Sequence, residues 1–494
     1  MAMTAMSEKE LFRYATPLVG GEFMASTSLG RHSHIDPSTG RPQAEFQLAG
    51  AAEVNAAVAA ALDGFRAWQA IGPEARRDIL FRWTHLIERD SELLTVMTAR
   101  EHGAPRMIPM VQLALSWMRY YAGWADKIEG TTVEVPGGPA HAYTRHEAYG
   151  VVGIIIPWNG PLVSSGMKVF PALAAGNAVI LKPPALAPFI ALRLGALALE
   201  AGMPAGVLNV VPGEVEAGQA LVRHRDVAKI SFTGGEGVAR KVAEMAAEQM
   251  KPVAFELGGK SANIIFEDAD LDSAAQMTTF LPTAGNAGQG CCLPTRAYVQ
   301  DSVYDAFMER VAAVAGHVKL GMPLEPDTMC GPVINEAACE RILGVIERAK
   351  DEGARLVAGG SRAGGELAGG YFLQPTVFGD VDHTSNLARE EVFGPVLAVA
   401  RFSDEDDALA KANDSRFGLG AYCHTNDLRR AHRVAAGLKA GVIGVNSGFP
   451  MSPGLPFGGY RESGYGREGG RPGLDEFLQI KSVYIPLGKG FMAE

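Results

Sequence analysis

From Glu147 onward the chain repeats one local grammar, and that repetition limits the folds open to it. Short β-branched runs stop abruptly at turn-forming residues: "AYGVVGIIIPWN" ends at Pro157, Trp158 and Asn159, and "NAVILKPPA", "GVLNVVPG" and "DVAKISFTGG" follow the same plan. Between them lie stretches of helical composition such as "FIALRLGALALEAGM". Strand, turn, helix and strand in regular alternation imply parallel strands joined by crossover helices. The pattern restarts with "SANIIFEDADLDSAA" and "RAYVQDSVYDAFMERVAAVAGHV", so a second α/β unit begins near Leu257. Upstream, residues 51–104 carry apolar side chains at three- and four-residue spacing, the mark of amphipathic helices. At 494 residues the chain is too long for one ordinary core, and two or three packed units are expected.

Composition removes several function classes. A formal net charge of −10 argues against nucleic acid or an anionic membrane as the main partner. The most apolar region, beginning at Val151, is broken by Lys168, Lys182, Arg193 and several prolines, which rules it out as a membrane span. The N-terminal "MAMTAMSEKELFRYA" lacks the apolar run of a signal peptide. Cys291, Cys292, Cys330, Cys339 and Cys423 have no disulfide-framework spacing and read as reduced thiols of a cytoplasmic protein. "GGKS" at 258–261 resembles the end of a phosphate-binding loop, but Ala254 stands where that loop needs glycine. No serine is flanked by glycines as in a hydrolase nucleophile elbow. His32 and His34 have no neighbours at metal-ligand spacing, so no metal is expected.

What remains is a series of turn motifs: "IIPWN" (155–159), "LKPPA" (181–185), "SFTGGEGVA" (231–239), "FELGGKSAN" (255–263), "NAGQGCC" (286–292), "EEVFGP" (390–395) and "PFGGYRESGYGRE" (456–468). Each alone has a bland reading: Glu256 as a solvated charge at a strand end, Cys291 as a small packing residue. Together and in this order they resemble the aldehyde dehydrogenase superfamily, over nearly the whole chain from "GGEF" (20–23) to "FLQIKSVYI" (477–485).

The chemistry that the resemblance implies needs four parts. A free aldehyde does not release hydride readily, because no lone pair pushes it away. A thiolate that adds to the carbonyl makes a tetrahedral oxyanion that expels hydride and leaves a thioester for water to cleave. The family pattern puts the nucleophile two positions after the glutamine of "GQxC", which is Cys291; Cys292 would face elsewhere if the loop is extended, since side chains alternate there, and would have no essential role. Asn159 and the backbone N–H of Cys291 would form the oxyanion hole, each donor being worth about 3 kcal/mol in a transition state. Glu256 would be the general base, its pKa raised by an apolar tunnel.

For the cofactor, NAD or NADP, the resemblance implies Lys168 and Lys182 near the adenosine ribose, with Gly213, Gly234 and Gly235 admitting the nucleotide. Trp158, Phe232 and Leu257 would line its crevice, Glu391 would hold the nicotinamide ribose, and Phe393 would lie against the nicotinamide end. NAD-preferring members often carry a glutamate three residues after the lysine. Here that residue is Ala185, which leaves NADP tolerated or preferred. Gly160, Met167, Leu113, Trp117, Met451 and Phe457 would wall a substrate tunnel with no charged residue, suited to an apolar or aromatic aldehyde.

The implied fold is α/β. A Rossmann-type cofactor domain (residues 1–125 and 148–257) and an α/β catalytic domain (258–470) are joined by β segments for oligomerisation (126–147 and 471–494), which would pair exposed strands across a homodimer or homotetramer. Alternatives are a CoA-acylating relative, which generally lacks the glutamate found here as Glu256, a reductase consuming NADPH, and an inactive nucleotide-binding or structural member of the fold.

Overall fold

The computed structural model describes residues 8–136, 139–448 and 451–487; the outermost residues of the expected terminal segments, 1–7 and 488–494, lie outside it. One seven-stranded sheet runs, edge to edge, through Val253–Glu256, Lys229–Thr233, Val151–Ile155, Ala178–Lys182, Leu208–Val210, Leu18–Val19 and Glu22–Phe23. The first five strands are parallel, and the two short ones close the edge antiparallel. Every residue of Val151–Ile155 and Ala178–Lys182 is buried, which is why these strands read as unbroken apolar runs rather than alternating ones.

Chain order decides where this sheet binds a ligand. Among the parallel strands Val151–Ile155 comes first, the next two step away on one side, and Lys229–Thr233 crosses back to the other. That reversal opens a crevice at the carboxyl ends of Val151–Ile155 and Lys229–Thr233, the usual ligand position in open α/β sheets.

A second seven-stranded sheet follows the order Arg355–Ala358, Thr376–Gly379, Val396–Phe402, Arg296–Gln300, Ala262–Ile265, Gly420–His424, Val442–Val445, parallel but for the first strand. Residues 257–261 alone carry the chain from the carboxyl end of Val253–Glu256 to the start of Ala262–Ile265. The carboxyl edge of one sheet is thereby brought to the amino edge of the other. Cys291, a few residues before Arg296–Gln300, lies on that amino edge.

Helices Met110–Ala122 and Pro161–Ala174 cross closely because Gly166 has no side chain: a Cβ there would lie 3.0 Å from the Ala114 carbonyl and 3.2 Å from Trp117 Cβ. Ala140–Ala148 pairs with Thr132–Val133 and, over its full length, with Leu478–Pro486. The two segments expected as exposed strands thus pair with each other, and the outer edge of Leu478–Pro486 has no partner strand among the described residues.

Candidate active site

The loop carrying the two cysteines is held by its own polar residues. Gln289 is fully buried; its amide N–H donates to the Asn286 carbonyl (3.0 Å) and its Oε1 accepts the Ile334 N–H (2.9 Å). Gly288 adopts φ +68° and passes so near Gly394 that a Cβ would lie 2.1 Å from its carbonyl oxygen. Beyond it, the Tyr422 hydroxyl donates to the Cys292 carbonyl at 2.8 Å, and the Cys291 carbonyl packs over Gly259.

Cys291 is half-buried and Cys292 buried. The expectation of an extended loop is corrected here: residues 291–292 form a turn, and the Cys292 side chain acts on the Cys291 thiol. The neighbouring Cys292, then burial, pushes the Cys291 thiol well above its ordinary pKa. Cys291 therefore rests as a thiol, and its sulfur needs a base before it can act as a thiolate.

Asn159 directs its side chain into the same place. Its Nδ2 donates to the Gln289 carbonyl at 2.9 Å, and its own carbonyl accepts from Asn286 Nδ2 at 2.9 Å. A primary amide has two N–H donors, so the second is left for a ligand. The backbone N–H of Cys291 has no acceptor among the described residues. Two free donors beside one thiol make an anion-stabilising pair. Asn159→Ala should lower kcat about 10²-fold to 10³-fold without loss of the fold, checked by steady-state kinetics and thermal unfolding.

Glu256 ends its strand buried, and its Oε1 has no hydrogen-bond partner. Burial raises its pKa well above the carboxylate range, and the Glu468 carboxylate and Cys291 add to the shift. Lys168 opposes it. That lysine was expected beside the adenosine ribose, and the structure corrects this: it lies on the inward face of Pro161–Ala174, pairs with Glu468 at 2.5 Å and donates to Ser231 Oγ at 2.9 Å. Both members of the Lys168–Glu468 pair are buried, so deleting either would strand a charge at a cost of about 3–5 kcal/mol.

The crevice residues fit a dinucleotide. Lys182 ends its strand nearly buried, its ammonium makes no hydrogen bond or ion pair to a described residue, and burial lowers its pKa to about 8. Gly235 caps the start of Glu236–Ala247 with open space around it, leaving the helix N-terminus free for a phosphate. Gly234 packs against the Phe232 ring, Gly213 against Ala217, and Leu257 is buried against the sheet. Ala185 is half-exposed at the mouth. Glu391 accepts the Gly259 N–H at 3.0 Å, and burial raises it to about 7. Trp158 meets Phe393 edge-on at 5.5 Å, and Phe393 holds a left-handed backbone (φ 49°), strain of a kind that packed functional sites retain. Trp117, Met167, Phe457 and Cys292 share one apolar cluster, against which Leu113, Met451 and Cys291 pack. A Cβ at Gly160 would meet nothing within 4 Å, so space remains there.

The model of the Aldehyde dehydrogenase family matches residues 23–483. This chain belongs to that family. It is similar to PnpE from Pseudomonas sp. WBC-3 (37% identity, covering 97% of this chain and 99% of that one, TM-score 0.94), another structure of which is a complex with nicotinamide adenine dinucleotide. It is also similar to the NAD+ complex of an aldehyde dehydrogenase from Bacillus cereus (37%, 97% and 98%, 0.93) and to an NADP-dependent enzyme from E. coli (36%, 97% and 99%, 0.93). The α/β fold is that of the aldehyde dehydrogenases, and the cofactor of this aldehyde dehydrogenase is NAD or NADP.

Sequence reasoning used Gln289 only as a pointer to the nucleophile and passed over Asn286, Glu468 and Tyr422. The polar residues inside "GNAGQG" were the available signal, since buried amides in a glycine-rich loop must find partners. Nothing local marks Glu468 or Tyr422, which reach the site only through tertiary packing.

Proposed function

We propose that the protein oxidises an apolar or aromatic aldehyde, with water, to the carboxylic acid through a thioester on Cys291. The observation that carries this reading is the convergence on one thiol of two unengaged N–H groups, the second of Asn159 Nδ2 and the backbone N–H of Cys291, with a buried carboxyl whose pKa the thiol itself helps to raise. Glu256 takes the Cys291 proton, and the sulfur adds to the aldehyde carbon. The two donors hold the resulting oxyanion. NAD or NADP, when bound, would supply the acceptor for the hydride that this oxyanion expels. Glu256 passes that first proton to solvent, then draws a proton from the water that cleaves the thioester and returns it to the departing sulfur, so that Cys291 leaves as the thiol.

The presence of Glu256 favours water over CoA as acyl acceptor, and the intact set of Cys291, Asn159 and Glu256 favours an active enzyme over a structural descendant. Absence of charge among Gly160, Met167, Leu113, Trp117, Met451 and Phe457, with open space at Gly160, supports the apolar substrate class. Across a panel from short aliphatic to aromatic aldehydes, kcat/KM should be highest for bulky apolar members and at least about tenfold lower for anionic ones, because a charge would enter unpaired. A preference for charged aldehydes would overturn the assignment, and acid formation that depends on CoA would overturn hydrolysis.

We infer a homodimer or a dimer of dimers, supported by Ile480 (67% exposed), Tyr484 and Ile485 on the outer strand, a poor surface to leave in water. Light scattering of the purified chain reads this directly. Five unpaired cysteines support a cytoplasmic location.

A further inference from the structure

The strands Ala178–Lys182 and Leu208–Val210 leave their sheet side by side, with Leu181 opposite Val210. Their pairing continues past the strand ends: the Val211 N–H donates to the Leu181 carbonyl at 2.9 Å, and the Gly213 N–H to the Pro183 carbonyl at 3.2 Å. Glu214 therefore emerges next to the turn holding Lys182 and Ala185. The helix Val215–Arg223 that follows stays close, since a Cβ on Gly218 would lie 4.0 Å from Lys182 Cε. Two carboxylates leave this turn. Glu216 is committed elsewhere, accepting the Ala51 N–H at 3.0 Å. Glu214 is exposed, its carboxylate accepts no hydrogen bond from a described residue, and its charge acts on the nearly buried, unbonded ammonium of Lys182.

We propose that Glu214 selects the adenosine ribose: it supplies from the neighbouring strand exit the carboxylate that Ala185 lacks, accepts the ribose hydroxyl and repels a 2′-phosphate, so that the enzyme prefers NAD. The physical basis is general, because an acid beside the 2′ position favours a hydroxyl and disfavours a phosphate wherever in the chain it originates. An expectation drawn from position 185 alone misses it, since the compensating charge comes from another turn. The inference rests on the placement of the adenosine ribose at Lys182.

Calorimetric titration of the wild type and of Glu214→Gln with NAD and with NADP tests it, at low and at physiological ionic strength. The wild type should bind NAD at least about tenfold more tightly than NADP, and Glu214→Gln should narrow that ratio about tenfold, mainly by tightening NADP. The narrowing should shrink as salt rises. An unchanged ratio with both nucleotides still bound overturns the role of Glu214 alone. A wild type that prefers NADP does the same. Failure of the wild type to bind either nucleotide overturns the crevice assignment as well.

Discussion

Replacing Cys291 with serine lowers kcat by at least about 10⁴-fold, while the dissociation constant for the dinucleotide stays within about twofold. The size follows from the chemistry of the step. An alcohol is far harder to deprotonate than a thiol, and its anion adds to the carbonyl in competition with that proton cost. Cys292 cannot take over, although it adjoins Cys291: it is buried, and its carbonyl is fixed by Tyr422. The measurement is reduced-nucleotide formation against aldehyde concentration, with calorimetry for the dinucleotide. Retention of more than a tenth of the wild-type rate would move the nucleophile away from Cys291.

Replacing Glu256 with glutamine separates the two halves of the reaction. Steady-state turnover falls by about 10²-fold to 10⁴-fold, the range that general-base catalysis supplies. A pre-steady-state burst of reduced nucleotide, close to one equivalent per active site, survives if Cys291 can still lose its proton to water, and its rate reports how far Glu256 serves acylation as well. The pH dependence carries its own sign. Burial and Glu468 raise the Glu256 pKa, so its carboxylate, the active form of a base, grows with pH through that raised value. The wild-type kcat should climb along that limb, and the glutamine variant should lack it. A variant with the same limb and an intact steady state would leave the water without this base.

The sequence was most informative where chemistry and backbone coincide. Val151–Ile155 and Ala178–Lys182 are legible as strands because burial on both faces demands apolar runs, and Pro157 and Pro183 stop them. Glu256 and Asn159 are legible because each ends or follows a run of that kind, and Cys291 because it stands two positions after the glutamine of "GQxC". Two features were not legible, for one physical reason. Lys168 faces inward to Glu468, and Glu214 approaches Lys182, through contacts between residues far apart in the chain. Local pattern carries no information about such partners. The orientation of Cys292 was missed differently: the side-chain alternation of an extended loop does not apply to a turn.

The full-length pairing of Ala140–Ala148 with Leu478–Pro486 has a consequence for biosynthesis. Gln479 bonds to Ala148 across 331 residues of chain. At a synthesis rate of about 5–20 residues per second, the earlier strand waits roughly 15–65 s after leaving the ribosome before its partner exists. Both sheets have their strands in hand before then, since the last of these ends at Val445. The arm is thus the last structure to be completed, and during that interval its open backbone is the part of the nascent chain that most needs a chaperone.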